Sequence, residues 1–245
     1  MIISLPFYIS NFLSCFVMGK AARHRFRGAM NSFLYRPAVV HFIKQTFGKK
    51  TKDVKFVRQH TMGRCVCVVN DEYFVKIFRN MSGTRLKNFE FLVNYVAKNM
   101  GVDIPRVYIA KNNHMYVTKK ANGYDIYDFD KKFVLQHEKK ILAQVDDVIS
   151  QLQSIDIKKL PDANRFCVAL ESTSKNIKPE SITSEGVLSH GDLNVRNFLF
   201  DKDLNICGLI DFDGMRITNN REYDKNVFMK YWNRYKVSKR NNPAE

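Results

Sequence analysis

The stretch His190-Gly191-Asp192-Leu193-Asn194-Val195-Arg196-Asn197 sets a carboxylate and a carboxamide five residues apart. A second acid, Asp211, follows the apolar pair Leu209-Ile210 and opens Asp211-Phe212-Asp213-Gly214. These residue types, in this order, can carry out phosphoryl transfer. Asp192 can face the proton of an attacking hydroxyl, Asn197 can hold a magnesium ion, and Asp211 can hold magnesium against phosphates. The chemistry is mostly positioning and charge neutralisation, so a handful of groups carries it. An Asp-Gly pair alone would indicate only a turn. The surrounding elements separate the two readings. Phe198-Leu199-Phe200, the polar turn Asp201-Lys202-Asp203 and the strand-like run from Ile206 to Ile210 put Asp211 after a loop, a strand, a turn and a strand.

Upstream elements must supply the phosphate grip. Cys65 to Val69 is rich in β-branched residues and reads as a strand. Asn70-Asp71 is a two-residue hairpin turn. Tyr73 to Phe78 is a second strand with one cation inside it, Lys76. Alone, Lys76 reads as a solvent-facing strand lysine. Leu86, Phe89, Leu92, Val93 and Val96 have helical spacing, and Glu90 lies among them. Glu90 is either an ordinary exposed acid or the carboxylate that holds Lys76.

At these residues the chain resembles the protein-kinase-like superfamily. The closer resemblance is to its small-molecule branch, the aminoglycoside and choline phosphotransferases. The runs HGDLNVRNFLFD and LIDFDGMRI look most like the lipopolysaccharide kinases that phosphorylate the core sugar Kdo. The resemblance extends from about His60 to about Tyr235. It implies a bilobal, protein-kinase-like α+β fold with a small antiparallel-sheet N-lobe and a reduced, mainly helical C-lobe. It implies ATP and Mg2+ as cofactors. By the same resemblance Lys76, held by Glu90, grips the α- and β-phosphates. Asp192 accepts or orients the acceptor proton, and His190 supports the catalytic loop. Asn197 and Asp211 take the metal, and the hinge residues Lys119, Lys120 and Ala121 lie near the adenine. Asp213 is either a further metal ligand or a turn former.

Two departures matter. The loop His60-Thr61-Met62-Gly63-Arg64 has one glycine, so Gly63 alone is the candidate for close backbone approach to phosphate. Gly191 stands where protein kinases have arginine, no Ala-Pro-Glu follows Asp211, and only 32 residues follow Asp213. These three features of the C-terminal half favour a small-molecule or glycolipid acceptor over a protein.

Composition fits an enzyme with a core. The 245 residues are 45% hydrophobic, enough for one large or two small domains. Five scattered cysteines give no disulfide framework, and Cys65-x-Cys67 lacks the second pair a zinc site needs. They read as reduced thiols of a cytoplasmic protein. Charge is uneven: residues 1–60 hold eleven basic residues against Asp53, which is +10 of the net +16. A basic segment calls for an anionic partner. Met1 to Met18 is apolar with polar interruptions, and Lys20, Arg23, Arg25 and Arg27 follow. Charge after the apolar run is the reverse of a secretory signal. An interfacial helix beside a basic patch fits, on an anionic membrane surface; a helix packed on the domain fits as well. No nucleic-acid motif accompanies the charge, so nucleic acid is not an expected partner.

The expected organisation is a basic arm over 1–50, an N-lobe over 51–120 and a C-lobe over 121–245. Within it we expect a helix from Asn31 to Phe47 interrupted at Pro37 and, over Gly101 to Tyr108, a turn into a fourth strand. A fifth strand is expected from Met115 to Thr118, one long helix from Phe133 to Ile155, a polar insertion from Pro161 to Gly186 and a final helix from Asp224 to Tyr235. The expected function is ATP-dependent phosphorylation of a sugar hydroxyl, on a lipid-linked glycan such as the lipopolysaccharide core, peripheral to the inner face of the cytoplasmic membrane. The alternatives are a soluble kinase of aminoglycosides, choline or free sugars, and a non-catalytic pseudokinase or membrane-binding module.

Overall fold

The computed structural model describes residues 20–60, 64–78, 83–110, 114–160 and 186–238. The apolar run, Gly63 and the polar insertion lie outside them. The chain divides into two compact units, residues 1–90 with 106–120 and residues 91–105 with 121–245.

The first unit is built on a five-stranded antiparallel sheet of order β1-β2-β3-β5-β4. The strands are β1 (Val54–His60), β2 (Arg64–Val69), β3 (Tyr73–Phe78), β4 (Val107–Ile109) and β5 (Met115–Lys119). Alternate residues of β2 and β3, among them Cys65, Cys67, Val75 and Ile77, turn into one buried cluster. Burial pushes the Cys65 thiol up to about 12, so it stays protonated and inert. Asn70 and Asp71 both have positive φ, 54° and 55°, which gives the tight hairpin turn. The Asn70 side chain also staples the preceding connector. Its Oδ1 accepts from the Lys52 and Asp53 amides at 2.8 and 3.1 Å, and its Nδ2 donates to the Lys50 carbonyl.

Helix α1 runs from Lys20 to Phe47, so it begins eleven residues before the expected Asn31 and continues through Pro37. Proline inside a helix removes one backbone bond and costs about 3 kcal/mol. Pro37 is exposed, while Tyr35, Val39, Phe42 and Ile43 on the opposite stripe are buried in the sheet's cluster. Burying four such side chains, at roughly 1.5–3 kcal/mol each, outweighs the lost bond. Gly48 ends the helix at φ +66°, with its amide on the Lys44 carbonyl.

Helix α2 (Gly83–Asn99) buries Leu86, Phe89, Leu92, Val93 and Val96, the periodicity read from sequence. The fourth strand, Val107–Ile109, follows the expected turn. Pro105 has no amide to pair, and the segment before it joins the second unit instead. There the Asp103 amide donates to the Cys207 carbonyl, and the Leu209 amide donates to the Asp103 carbonyl.

The second unit contains α3 (Lys131–Gln136), α4 (Glu138–Ser154), the strand pairs β6 (Val187–Ser189) with β9 (Arg216–Thr218) and β7 (Phe198–Phe200) with β8 (Ile206–Leu209), and α5 (Tyr223–Val237). The single helix expected over 133–155 is two. His137 leaves helical geometry at φ −101°, ψ 15°, and its Nδ1 approaches the Phe133 carbonyl at 2.8 Å. Ile141, Val145, Val148, Ile149 and Leu152 line the buried face of α4. Phe228, Trp232 and Tyr235 fill the core side of α5, with Phe198 against Phe228. The Trp232 indole and the Lys236 ammonium both donate to Glu138, at 2.8 and 2.9 Å, and hold its carboxyl below the usual range. Among the described residues no helix is long and apolar enough to cross a membrane.

Candidate active site

Strand β6 delivers the chain into His190, and from there the loop is shaped by a carboxylate far along the sequence. Asp224, in the first turn of α5, is 1% exposed. Its Oδ1 accepts from the Ser189 hydroxyl and the Gly191 amide, both at 3.0 Å, and its Oδ2 accepts from the His190 amide at 2.8 Å. Bonds to a buried ionised acceptor are stronger than neutral ones, so this group fixes the loop. Asp224 was not foreseen as a site residue. An acid in the first turn of a helix ordinarily serves the helix dipole at the surface, and no local signal marks this one as buried.

The loop then closes on itself. The Asp192 carbonyl accepts from the Asn194 amide at 2.8 Å and from the Asn197 Nδ2 at 2.7 Å. Asn194 caps the tight turn Val195–Asn197 by accepting from the Arg196 amide. Because the Asn197 amide nitrogen is committed to Asp192, the atom it presents to a cation is its Oδ1.

Asp211 is stitched to this loop by its neighbour Ile210. The Ile210 carbonyl accepts from His190 Nε2 at 2.9 Å, and the Ile210 amide donates to the Asn197 carbonyl at 2.9 Å. His190 is fully buried and its ring packs on Phe212, centroids 4.5 Å apart. The histidine therefore joins the loop to the segment that carries the second acid. Asp211 has φ 65°, ψ 53°, the left-handed region that aspartate tolerates and most side chains do not. A second join is purely backbone. Gly191 sits at φ +82°, and a Cβ there would lie 1.9 Å from the Gly214 carbonyl oxygen. The arginine that protein kinases have at this position has no room here.

Asp192, Asn197 and Asp211 are thus held on two loops that share a hydrogen-bonded frame. His190, Asn197, Asp213 and Asp224 are buried within it, while Asp192 and Asp211 are half-buried. The donors are oxygens, as magnesium requires, and one carboxylate with one amide leaves positions for phosphate oxygens. Among the described residues no three His, Cys, Asp or Glu side chains form a metal site of their own.

In the first unit Lys76 is half-buried on β3, paired in register with Val66 and Tyr116, and its Nζ lies 5.8 Å from the Tyr116 ring centroid. Glu90 on α2 accepts from the Ile109 amide at 3.1 Å. Burial pushes its carboxyl up, while that bond and Lys87 pull it back. Lys119 ends β5. The Lys120 amide donates to the Glu72 carbonyl at 2.7 Å, and its ammonium pairs with exposed Asp71 at 3.1 Å. That amide is committed within the unit.

Residues 135–224 match the family model described as the phosphotransferase enzyme family, a span that holds the whole loop, Asp211 and Asp224. No curated protein matches the chain. Among solved structures, the aminoglycoside phosphotransferase APH(3'')-Id from Streptomyces rimosus is similar at 13% identity and TM-score 0.59, covering 83% of this chain and 85% of that one. The GDP complex of aminoglycoside 2'-phosphotransferase-IIIa is similar at 14% identity and TM-score 0.55, covering 80% and 78%. The streptomycin-ATP complex of APH(2")-IIa is similar at 14% identity and TM-score 0.53, covering 76% and 73%. These likenesses establish a bilobal, kinase-like α+β fold. The likenesses give this chain the kinase-like fold, and the family match falls on the segment that carries the frame around Asp192.

Proposed function

We propose that the chain moves the γ-phosphoryl group of ATP to a sugar hydroxyl. The observation that carries this reading is the frame joining Asp192, Asn197 and Asp211. In the reaction the acceptor oxygen attacks the γ-phosphorus, ADP leaves, and the acceptor proton passes to the Asp192 carboxylate. Asn197 Oδ1 and the Asp211 carboxylate would hold magnesium, which would supply neutralisation of the phosphate charge. Lys76 grips the phosphates, while Glu90 is held by the Ile109 amide. His190 and Asp224 act through the loop as positioning residues.

Thermal unfolding tests the assignment. ATP is expected to raise Tm only with magnesium present. Asp211→Ala should abolish the magnesium-dependent part of the shift, and Lys76→Ala should weaken the shift with magnesium still present. Equal protection of the wild type and Asp211→Ala would remove Asp211 from the metal.

For the acceptor we favour a lipid-linked glycan over a free small molecule. The support is the arm: an apolar run, then Lys20, Arg23, Arg25 and Arg27 on a helix whose far half is buried in the first unit. Anchoring by two weak signals, one apolar and one electrostatic, suits this order. The full chain should sediment with anionic vesicles and only weakly with neutral ones. Substituting the four basic residues by serine should lose most of that binding, as should raising the salt, since screening acts over ~8–10 Å. Indifference of the full chain to anionic vesicles would return the acceptor to the soluble class, where the aminoglycoside phosphotransferases of similar fold have theirs.

A further inference from the structure

Arg216 opens β9, in register with Ser189, three residues before Asp192. Its guanidinium carbon lies 4.2 Å from the centroid of the Tyr223 ring. The Tyr223 hydroxyl in turn donates to the Gly191 carbonyl at 3.3 Å, the carbonyl immediately before Asp192. A half-buried cation is therefore held one aromatic ring away from the backbone of the reacting acid.

Nearby Arg196 shows what a structurally committed arginine looks like here. Its Nε donates to Asp125 at 3.1 Å, and its guanidinium lies over the Tyr127 ring at 4.8 Å. Arg216 has the ring without the carboxylate. Among the described residues its side chain makes the Tyr223 stack and no hydrogen bond or ion pair. A guanidinium stays charged, and its planar fork matches a carboxylate or a phosphate. Partial burial removes water from such a charge, and a counter-ion restores the loss. The stack fixes the plane of the fork beforehand, so little side-chain freedom remains to be lost on binding.

We propose that Arg216 binds an acidic group, a carboxylate or a phosphate, on the acceptor whose hydroxyl is phosphorylated. The inference rests on the phosphotransferase reading and deepens it. The acceptor becomes an acidic sugar, since a guanidinium one ring from the Gly191 carbonyl repels the amino groups of a polycationic aminoglycoside.

The test is a thermal-shift titration of the full chain with and without saturating Mg-ADP. The probes are galactose, galacturonate, glucose 6-phosphate, kanamycin and inorganic phosphate at millimolar concentration. The wild type is expected to gain Tm from galacturonate or glucose 6-phosphate beyond any gain from galactose or kanamycin. Which of the two acts separates carboxylate from phosphate recognition. Arg216→Gln should lose that excess, and Arg216→Lys should keep only part of it, having charge without the fork. With labelled ATP, the preferred acidic sugar should show at least a tenfold fall in kcat/KM for Arg216→Gln, carried by KM rather than kcat. If Arg216→Gln does not fold, Arg216→Lys carries the comparison. Equal protection by acidic and neutral sugars, or no protection by either acidic sugar, overturns the proposal. So does an excess that survives in both variants. Arg216-dependent protection by inorganic phosphate alone also overturns it and puts the arginine on the transferred phosphoryl group. The Mg-ADP shift is read separately. Its absence in the wild type sinks the nucleotide reading, while the sugar comparison without nucleotide still decides the arginine.

Discussion

Asp192→Asn is expected to cut turnover by ~10²–10⁴-fold while leaving the melting temperature and the Mg-ATP shift unchanged. That is about 3–5 kcal/mol on the barrier. The separation of chemistry from fold follows from the geometry. The ties that shape the loop run through the Asp192 carbonyl, which accepts from Asn194 and Asn197, and substitution leaves that carbonyl in place. Asparagine keeps the shape of the side chain and cannot take the acceptor proton. Single-turnover phosphate transfer with matched unfolding curves checks it. Turnover within twofold of wild type would remove Asp192 from proton transfer.

The second large effect belongs to a residue that touches no substrate. Asp224→Asn is expected to destabilise the chain by about 2–4 kcal/mol, because buried donors then lose their charged acceptor. Three groups depend on it: the Ser189 hydroxyl and the His190 and Gly191 amides. In the variant one amide donor must face another donor. For a chain of this size the loss corresponds to roughly 4–16 °C in Tm. Turnover should fall at least tenfold with it, through the loop rather than through the nucleotide, so the Mg-ATP shift should persist below the new Tm. Denaturant unfolding and kinetics on the same preparation measure both. A stability change under ~0.5 kcal/mol would mean that the loop is held by its other ties, His190 to Ile210 and Gly191 against Gly214.

The two expectations differ in how visible their residues are in the sequence. Asp192, Asn197 and Asp211 could be named because their types and spacing are the chemistry. The Asn70-Asp71 turn could be named because Asn and Asp tolerate positive φ, and α2 because its apolar positions recur every three or four residues. Each of these is decided within one local stretch of chain. The remainder was decided by partners distant in sequence. Pro37 would end an isolated helix, yet α1 continues because Tyr35, Val39, Phe42 and Ile43, on both sides of it, bury themselves in the sheet's cluster. The segment before Pro105 reads only as a turn, yet Asp103 within it bonds to Cys207 and Leu209. Asp224 and Arg216 show the same limit at the site. An acid at a helix start and a cation in a short strand have nothing local to distinguish them. Only the folded chain puts the acid under the His190 loop, 34 residues away, and the cation on Tyr223. Spacing along the chain determines which groups are offered; desolvation and pairing across the fold determine which are held, and those depend on contacts that no local pattern encodes.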